Sequence, residues 1–554
     1  MLSVQNPLQV HAPLSETNRL ANRRQVLQGS AAAITGAMVL GDLALSDRAV
    51  AQEPVQGGTL IVAFEADPEI LDPHNTTALV ASRVLTLMHD NLVSRGYDGT
   101  IQPGLADTWE ISADGLTYTF NLKQGVTFHS GKALTAADVK YTFERWKGNE
   151  SSPTAYTIDA IETIEMPDDF TVVMTLSQPY NIFLDQLAGG WSVILNQEVV
   201  DQAGDQYGVS VVDGTGPFKF ASWSRNQSIV LERHDAYTWG SPIFQNPGPT
   251  YLDGIEIRII PEDATRIAEF QSENVHIVMD VPAQDVERLT DASGVTVVQY
   301  AQLQTTYMGL NGVQTPTNDI AVRRALNYAI NREEIALGAY FGLATPAYTF
   351  LHPETPYFWP DALAAAPVYD PDQAATILEE GGWVLGDDDI REKDGVKLSM
   401  PFWVINNSET VLMAQIIEQQ LAQIGVKVET VQYEQTAWFE AARSGDQVAY
   451  TIGVFYENAD NLYFNFYSGQ MPAPNRFSYN VPEVDAWLED SRSNPDQEAV
   501  TQAYYNVQQR LIEDAVCVPL LHALGTVGVA SDVQGLQVHP SRWLYRMLDL
   551  SLAN

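Results

Sequence analysis

The first 51 residues have the pattern of a twin-arginine secretion signal, and this feature constrains the fold more than any other in the chain. Arg23 and Arg24 precede a weakly apolar stretch over 29–45, and Ala49 and Ala51 supply the two small side chains that signal peptidase requires. Export by this route indicates that the protein folds before translocation. We therefore expect cleavage before Gln52 and a mature chain that reaches the periplasm already folded.

An uncleaved membrane anchor is the alternative for the same segment. The apolar stretch is about 17 residues long and contains Asp42, whereas a helix needs roughly 20 apolar residues to cross a bilayer. No cysteine lies directly after the stretch, so the usual bacterial lipid anchor is not expected. These features predict a soluble periplasmic protein, with the twin-arginine translocase as a partner during export.

The charge balance argues against nucleic acid as a partner. The chain carries 70 acidic and 30 basic residues, a formal net charge of −40. Removal of residues 1–51 takes away four arginines and three acids and leaves −41, a charge that repels phosphate backbones. Only eight of the basic residues are lysines, and this bias suggests a salt-adapted source in which salt screens the repulsion between carboxylates.

The size and composition predict a large globular protein without disulfides. About 500 mature residues are enough for two or three domains with sizeable cores, and 45% of the chain is hydrophobic. The single cysteine, Cys517, excludes an internal disulfide although the compartment would permit one. Cys517 lies in the apolar run 516–521, which favours a buried thiol over a catalytic one.

Hydrophobic periodicity predicts the elements of the first part of the mature chain. We expect a strand over Thr59–Phe64, a helix with an apolar face from Val80 to Met88, and a hairpin from Trp109 to Leu122 around Asp114-Gly115. A short strand is predicted at Val126–His129. A helix should then run from Thr135 to about Trp146, because Thr135 and Asp138 have nearly the spacing of a capping box.

Several sequence blocks follow one another in an order that is typical of a known family. They are Leu105–Glu110, Asp114–Phe120, Leu122–Lys132, Leu134–Val139, Gly214–Phe220, Tyr251–Ile255, Ile259–Ala264, Asp319–Arg332 and Ala515–Leu520. With these blocks the chain resembles family 5 extracellular solute-binding proteins, the dipeptide-, oligopeptide- and nickel-binding components of ATP-driven importers. One block alone would be weak evidence, but the shared order over residues 55–550 is specific.

The resemblance implies an α/β fold: a two-lobed, periplasmic-binding-protein-like clamp of the large type with an extra inserted subdomain. The first lobe would comprise 55–98, 213–302 and 521–554, with the small subdomain inserted over 99–212. The second lobe would comprise 303–520. Two lobes joined by crossing strands form a hinge, and a ligand that contacts both sides favours closure.

The sequence of the second lobe itself indicates α/β layers. Asp319–Ala336 is predicted to be one amphipathic helix, and a second helix should run from Val411 to Ile424 and end at Gly425. Val426–Val431 alternates like a strand. Repeated helix, glycine and strand patterns are typical of such layers.

The resemblance also points to a ligand-binding loop after Gly453. In peptide-binding relatives this stretch carries an aspartate that pairs with the free α-amino group of the ligand, and Glu457 aligns with that aspartate. Glutamate is one methylene longer, so the role could instead fall to Asp460. A carboxylate in a cleft binds an ammonium group well, because the lowered dielectric strengthens a charge-assisted bond. A solvated acidic loop is the alternative for the same segment.

The ligand itself is not determined by these residues. Dipeptide-type relatives place a carboxylate-binding arginine at the start of the helix that here begins near Glu409, and this chain has no basic residue there. Aromatic residues are frequent in the same loops instead, and the candidates for ligand contact are Trp403, Trp438, Phe455 and Tyr456. They could line a pocket for a longer peptide or stack on an oligosaccharide, although most aromatic residues in this part should serve packing.

Catalytic and metal-binding motifs are absent from the sequence. There is no His-Glu-x-x-His, Gly-x-Ser-x-Gly or phosphate-loop pattern, and the carboxylates of Asp387–Asp389 lack the alternating spacing of a calcium loop. We expect no cofactor, no metal and no enzymatic activity. The prediction is a monomeric receptor that passes an oligopeptide or similar amine-bearing solute to an inner-membrane ABC permease; an oligosaccharide receptor and a secreted hydrolase are the alternatives.

Overall fold

The computed structural model describes residues 54–76, 78–455, 458–539 and 547–553. Met1–Pro54 and Val55–Asn554 are separate units, and the described helices and strands all belong to the second. The strands are β1 (Thr59–Phe64), β2 (Val93–Arg95), β3 (Ile101–Pro103), β4 (Ala106–Ile111), β5 (Thr117–Leu122), β6 (Ile161–Asp168), β7 (Thr171–Leu176), β8 (Phe218–Ser224), β9 (Ser228–Arg233), β10 (Gly254–Ile259), β11 (Ile277–Met279), β12 (Val295–Ala301), β13 (Gln304–Leu310), β14 (Ala344–Pro346), β15 (Val384–Leu385), β16 (Arg391–Lys393), β17 (Val396–Lys397), β18 (Ser399–Ile405), β19 (Lys427–Tyr433), β20 (Ala449–Phe455), β21 (Cys517–Ala530), β22 (Val533–Gln534) and β23 (Ser551–Leu552).

The α-helices lie between these strands. They are α1 (Leu79–Met88), α2 (Ala136–Lys147), α3 (Phe183–Leu187), α4 (Gln197–Ala203), α5 (Asp263–Gln271), α6 (Ala283–Thr290), α7 (Ile320–Ala329), α8 (Arg332–Gly338), α9 (Ala362–Ala365), α10 (Pro371–Glu380), α11 (Ser408–Ala422), α12 (Gln435–Ala441), α13 (Asn461–Phe466), α14 (Pro482–Ser493) and α15 (Gln497–Glu513). Short 3₁₀ turns occur at Ala155–Ile158, Gly204–Gln206 and Ser468–Gln470.

Twelve strands form the central sheet, in the order β19-β18-β20-β13-β21-β11-β1-β10-β9-β8, with β12 and β14 also paired to β21. At one end β1 is parallel to β10 and β11, and at the other β18 is parallel to β19 and β20. Helices cover both faces of such parallel strands, which explains why β1 and β18 are rich in apolar residues. The sheet therefore contains two parallel α/β sections.

The long strand β21 joins these two sections. Its first residues pair with β13, where Cys517 lies opposite Gly309, and its last residues pair with β12, where Ala530 lies opposite Val295. The chain also passes directly from β12 to β13 over residues 301–304. Two stretches of backbone thus cross from one section to the other.

A separate antiparallel sheet with the order β4-β5-β7-β6, here called the small sheet, lies between the halves of the first section in sequence. Alternate residues of β5 and β7, such as Phe120 and Val172, are fully buried against Val139 and Trp146 of α2. Burial of such a side chain stabilises the fold by about 1.5–3 kcal/mol. The core of this unit includes Leu92, which precedes β2.

Most of the elements expected from the sequence are confirmed. β1 and α1 occupy the predicted positions, β4 and β5 form the predicted hairpin, and α2 begins with a capping box between Thr135 and Asp138. In the second half, α11 and β19 match the predicted helix and strand, and Gly425 adopts a φ of +78° in the turn between them. Cys517 is a buried free thiol, as predicted.

Two predicted elements are wrong. The helix predicted over Asp319–Ala336 is divided into α7 and α8, because Ile330 is extended and the Asn331 side chain accepts a hydrogen bond from the N–H of Glu334, as an N-cap of α8. The strand predicted at Val126–His129 is reduced to a single bridge between Thr127 and Ala133, with a turn at His129.

The Gly214–Gly216 segment packs backbone against backbone at the end of α1. A Cβ atom on Gly216 would lie 2.4 Å from the carbonyl carbon of Met88, so the close approach requires glycine. Across the described ranges, the helices are too short or too polar to span a lipid bilayer.

Candidate functional site

The carboxyl ends of β18, β19 and β20 lie at one edge of the central sheet, here called the β18–β20 edge. The three strands are parallel, and they end there at residues 405, 433 and 455. β18 is the middle strand: the chain moves through α11 to β19 on one side of it and through α12 to β20 on the other. Ligands of open α/β sheets bind at such a reversal of strand order, outside the carboxyl ends. The β18–β20 edge is therefore the candidate site.

An aromatic pair lies near this edge. Trp403 of β18 and Tyr433, the last residue of β19, are both half-buried, with ring centroids 5.1 Å apart at an angle of 47°. Both pack on the side of the sheet that carries α12. Their exposed parts can offer a ring surface to a ligand, as aromatic side chains in binding sites commonly do.

β13, which belongs to one of the two crossing stretches, starts at the same edge. Gln304, the first residue of β13, lies opposite Phe455, the last residue of β20. The Gln304 side chain covers Gly453 so closely that a Cβ atom there would lie 1.9 Å from Gln304 Nε2. Any ligand at this edge is therefore close to the crossing strands. Relative movement of the two sections would change the geometry of these strands.

A histidine pair lies beside the crossing strands. The rings of His352 and His522 are 4.6 Å apart, and His522 Nδ1 lies 3.3 Å from the carbonyl oxygen of Gln304. Burial lowers the pKa of His522 to about 3 and that of His352 to about 4, so both rings are neutral near pH 7. They contribute hydrogen bonds and no charge to this part of the molecule.

The predicted ligand residues have different positions. Trp403 lies at the β18–β20 edge, whereas Trp438 is fully buried beneath it, in an aromatic core with Tyr450. Tyr456 and Glu457 lie outside the described residues, as does the side chain of Phe455, whose backbone ends β20. The export residues Arg23, Arg24, Ala49 and Ala51 also lie outside the described residues.

Asp460 is buried and is already paired with a basic side chain. Its Oδ1 lies 3.1 Å from Nε of Arg492, on α14. Among the described residues neither atom has a hydrogen-bond partner of good geometry, so the contact is ionic. Burial raises the pKa of Asp460 to about 6 although Arg492 opposes the shift. A ligand ammonium group would have to compete with Arg492 for this carboxylate.

Arg492 also reaches residues of the segment between β7 and α3. Its Nη2 donates a hydrogen bond to the Tyr180 hydroxyl at 2.6 Å, and its guanidinium lies 4.7 Å from the centre of the Tyr180 ring. Arg492 and Tyr180 could not be predicted as partners from the sequence, because one arginine in an acidic helix has no distinguishing pattern. Only the fold brings these two residues together across about 310 positions of sequence.

The helix that begins near Glu409 has no cation at its start. Asn407 caps α11 by accepting a hydrogen bond from the N–H of Thr410, and the first turn contains Glu409. A ligand carboxylate would meet no positive side chain from this helix.

The first section has a comparable edge. β1, β10 and β11 are parallel, and Glu65 and Asp280 directly follow β1 and β11. The buried Arg83 contacts both carboxylates, at 3.2 Å and 3.1 Å. The acids at this edge are therefore held in fixed positions by a cation, and Asp280 keeps a φ of +50°.

Two small pockets in the described part of the chain are too small for a peptide. One of about 20 Å³ is lined by Tyr348, Phe350, Gln508, Cys517 and others, which is room for little more than a water molecule. A second of about 10 Å³ lies near Tyr97. Within the same residues, no three His, Cys, Asp or Glu side chains are grouped to hold a metal ion.

Known proteins are similar in sequence to this chain over most of its length. The oligopeptide-binding protein AppA of Bacillus subtilis is 28% identical over 516 residues, 90% of this chain and 92% of AppA. The glutathione-binding protein GsiB of Pectobacterium atrosepticum is 28% identical over 474 residues, 82% of this chain and 87% of GsiB.

Solved structures have the same fold. AppA of Bacillus subtilis in complex with a nonapeptide aligns with a TM-score of 0.79 at 26% identity, covering 91% of this chain and 100% of that one. The ABC transporter-associated periplasmic binding protein DppA from Helicobacter pylori, in complex with the peptide STSA, aligns with a TM-score of 0.77 at 25% identity, covering 90% and 99%.

The family model for bacterial extracellular solute-binding proteins, family 5 Middle, matches residues 100–472, which is more than half of the chain. That range contains the small sheet and the β18–β20 edge. Together with the order of the sequence blocks and the two parallel sections joined by β21, this match shows that the chain belongs to the family 5 bacterial extracellular solute-binding proteins.

Proposed function

We propose that this protein is a periplasmic receptor that binds an oligopeptide or a similar amine-bearing solute and delivers it, unaltered, to an inner-membrane ABC permease. The observation that carries the proposal is the β18–β20 edge, where three parallel strands end beside the strands that cross between the sections. The peptide complexes of AppA and DppA support the choice of ligand class.

The proposed receptor works as a hinged clamp. Residues 55–98, 213–302 and 521–554 form one lobe, 303–520 form the other, and 99–212 form a subdomain inserted in the first. Support comes from the buried clusters: one contains residues from 308 to 521, and another contains residues between 60 and 88, between 212 and 279, and after 527. The ligand lies between the lobes, and closure requires only bending of the crossing strands.

In this proposal Glu457 holds the ligand ammonium group. Asp460 is the weaker candidate, because Arg492 already occupies its carboxylate at 3.1 Å. Trp403 contacts the ligand together with Phe455 and Tyr456, while Trp438 supports the site by packing beneath it. The start of α11 has no cation that could bind a ligand carboxylate. The absence of this contact favours longer peptides over dipeptides.

The proposed amine contact can be tested by calorimetry with a nonapeptide and its N-acetylated form. Glu457→Gln should weaken binding of the free peptide by about 1.5–3 kcal/mol, the usual contribution of a hydrogen bond to a charged group. Acetylation should then cost the variant little more, because both changes remove the same interaction. Glu418→Gln, at an exposed position far along α11 from this edge, is the matched control.

Additive effects of the two changes would remove Glu457 from the site. In that case Asp460→Asn and a series of oligosaccharides are the next variant and ligands to compare, since stacking on Trp403 and Tyr433 would suit a neutral sugar. Hydrolysis of the peptide during the titration would instead identify a secreted hydrolase.

Export is the second part of the proposal. Arg23→Lys combined with Arg24→Lys should block secretion, because lysine lacks the planar guanidinium that the twin-arginine receptor recognises. Arg19→Lys, in the same leader, is the control and should be exported normally. Amino-terminal sequencing of the periplasmic protein should begin at Gln52; a full-length exported chain, or export of the double variant, contradicts this assignment.

A further inference from the structure

The end of α14 is bound by a residue from the segment that follows the small sheet. Asn181 donates from its backbone N–H to the carbonyl oxygen of Arg492 at 2.9 Å, and its Nδ2 donates to those of Ser491 and Asn494 at 3.0 and 2.9 Å. Carbonyl groups at a helix end lack partners within the helix. Asn181 therefore closes α14 from outside, and the small-sheet unit and α14 are joined at a defined position.

The Arg492 side chain adds further contacts between α14 and the segment that contains Tyr180. Its guanidinium lies 3.9 Å from the centre of the Tyr463 ring and 4.7 Å from that of Tyr180, so it is stacked between residues of two distant segments. The ion pair with Asp460 completes the arrangement. Nearby, the rings of Tyr156 and Phe464 are stacked with their centroids 6.1 Å apart.

The chemistry of this cluster requires an arginine. Burial opposes the positive charge, but Asp460 and Tyr180 outweigh that effect and hold the pKa of Arg492 above its ordinary value, so it stays charged. A planar guanidinium can stack on two rings while it donates hydrogen bonds in its own plane. A lysine ammonium group keeps the charge but cannot do both.

We propose that Arg492 is a positioning residue whose cluster, Tyr180, Asn181, Asp460, Tyr463 and Arg492, acts as a clasp between the small-sheet unit and the loop that follows β20. The clasp holds the two together before a ligand arrives. Because Asp460 and Tyr463 follow Glu457, the residue to which we assign the ligand ammonium group, the inference rests on the proposed function. Loss of the clasp would lower affinity without removal of any ligand contact, because less of the protein would be in the binding-competent form.

The clasp can be tested without ligand by distances between spin labels. Cysteines introduced at the exposed positions Glu150 and Ala486 report on the small-sheet unit and α14, and the natural Cys517 is buried and should not be labelled. The unmodified protein should give a single, narrow distance distribution. Arg492→Lys should add a population at longer distance, and Tyr180→Phe, which removes only a hydroxyl group, should shift the distribution less in the same direction.

Two matched variants separate this effect from general loss of stability. Arg510→Lys changes a half-buried ion pair on the neighbouring α15, and Tyr141→Phe removes a hydroxyl bonded to Asp201 on α4; both should keep the single distance of the unmodified protein. Unchanged distances in Arg492→Lys and Tyr180→Phe would overturn the proposal. If Arg492→Lys does not fold, Tyr180→Phe decides alone.

Affinity for the nonapeptide adds a second measurement. Arg492→Lys should bind it about tenfold more weakly, which corresponds to the contribution of a desolvated cation–π contact. If the unmodified protein binds no peptide at all, the proposed function is contradicted. The distances between the spin labels still test the clasp in that case. The two failures are therefore distinguishable.

Discussion

At the scale of single residues, the two carboxylates of the loop after β20 are not equivalent. The sequence places Glu457 and Asp460 three positions apart, and either could accept an ammonium group from a ligand. Asp460 is buried and paired with Arg492. No sequence pattern could reveal this pairing, because it depends on how α14 packs against the loop.

The burial of Asp460 predicts a specific pH dependence. Its pKa is raised from 3.8 to about 6. Between these two pH values the folded state keeps a proton that the unfolded state has lost, and this difference in proton binding stabilises the folded state. This stabilisation is complete below about pH 4 and is lost as the pH rises through 6. Relative to Asp460→Asn, the natural protein should therefore gain about 1 kcal/mol of unfolding free energy between pH 7.5 and pH 5.

Urea unfolding of the two proteins at both pH values measures this difference. Asp490→Asn, an exposed position on the same helix as Arg492, is the control and should show no such gain. If Asp460→Asn instead becomes relatively more stable at pH 5, the ion pair with Arg492 dominates over burial, and the carboxylate has an ordinary low pKa.

At the scale of elements, periodicity predicted strands and helices where each buries one face against a local core. β5 alternates as expected, and α11 and β19 have nearly the predicted limits. The break between α7 and α8 was missed, because the apolar spacing continues through it. Asn331 forms the break: it caps α8, and its N–H donates to Gln420 Oε1 on α11 at 3.0 Å.

The cap at Asn331 makes a measurable contribution to stability. Asn331→Ala should lower the free energy of unfolding by about 0.5–2 kcal/mol, the usual effect of removing an N-cap side chain. Denaturant unfolding monitored by circular dichroism tests this. Asn506→Ala, in the middle of α15, removes a hydrogen bond from Gln502 within the same helix; it is the control and should cost less. Equal losses would show that the cap is not what stabilises the start of α8.

At the scale of the whole molecule, the family resemblance predicted the architecture, but the residues alone did not predict how the parts meet. Single elements of both parallel sections, such as β1 and β19, follow from local sequence patterns. The crossing by β21 and the contacts between Tyr180, Asn181 and α14 join residues that are hundreds of positions apart. Such contacts depend on the complete fold, so a single sequence carries no local signal for them.

The central claim is that the protein binds peptides and releases them unchanged. The most direct measurement is calorimetric titration of the mature protein, residues 52–554, with free and N-acetylated peptides of two to nine residues, followed by mass spectrometry of the recovered peptide. We predict saturable binding of one intact peptide per chain, stronger for the longer peptides than for dipeptides and weaker after acetylation. Absence of binding to every peptide, or recovery of cleaved peptide, would contradict the account.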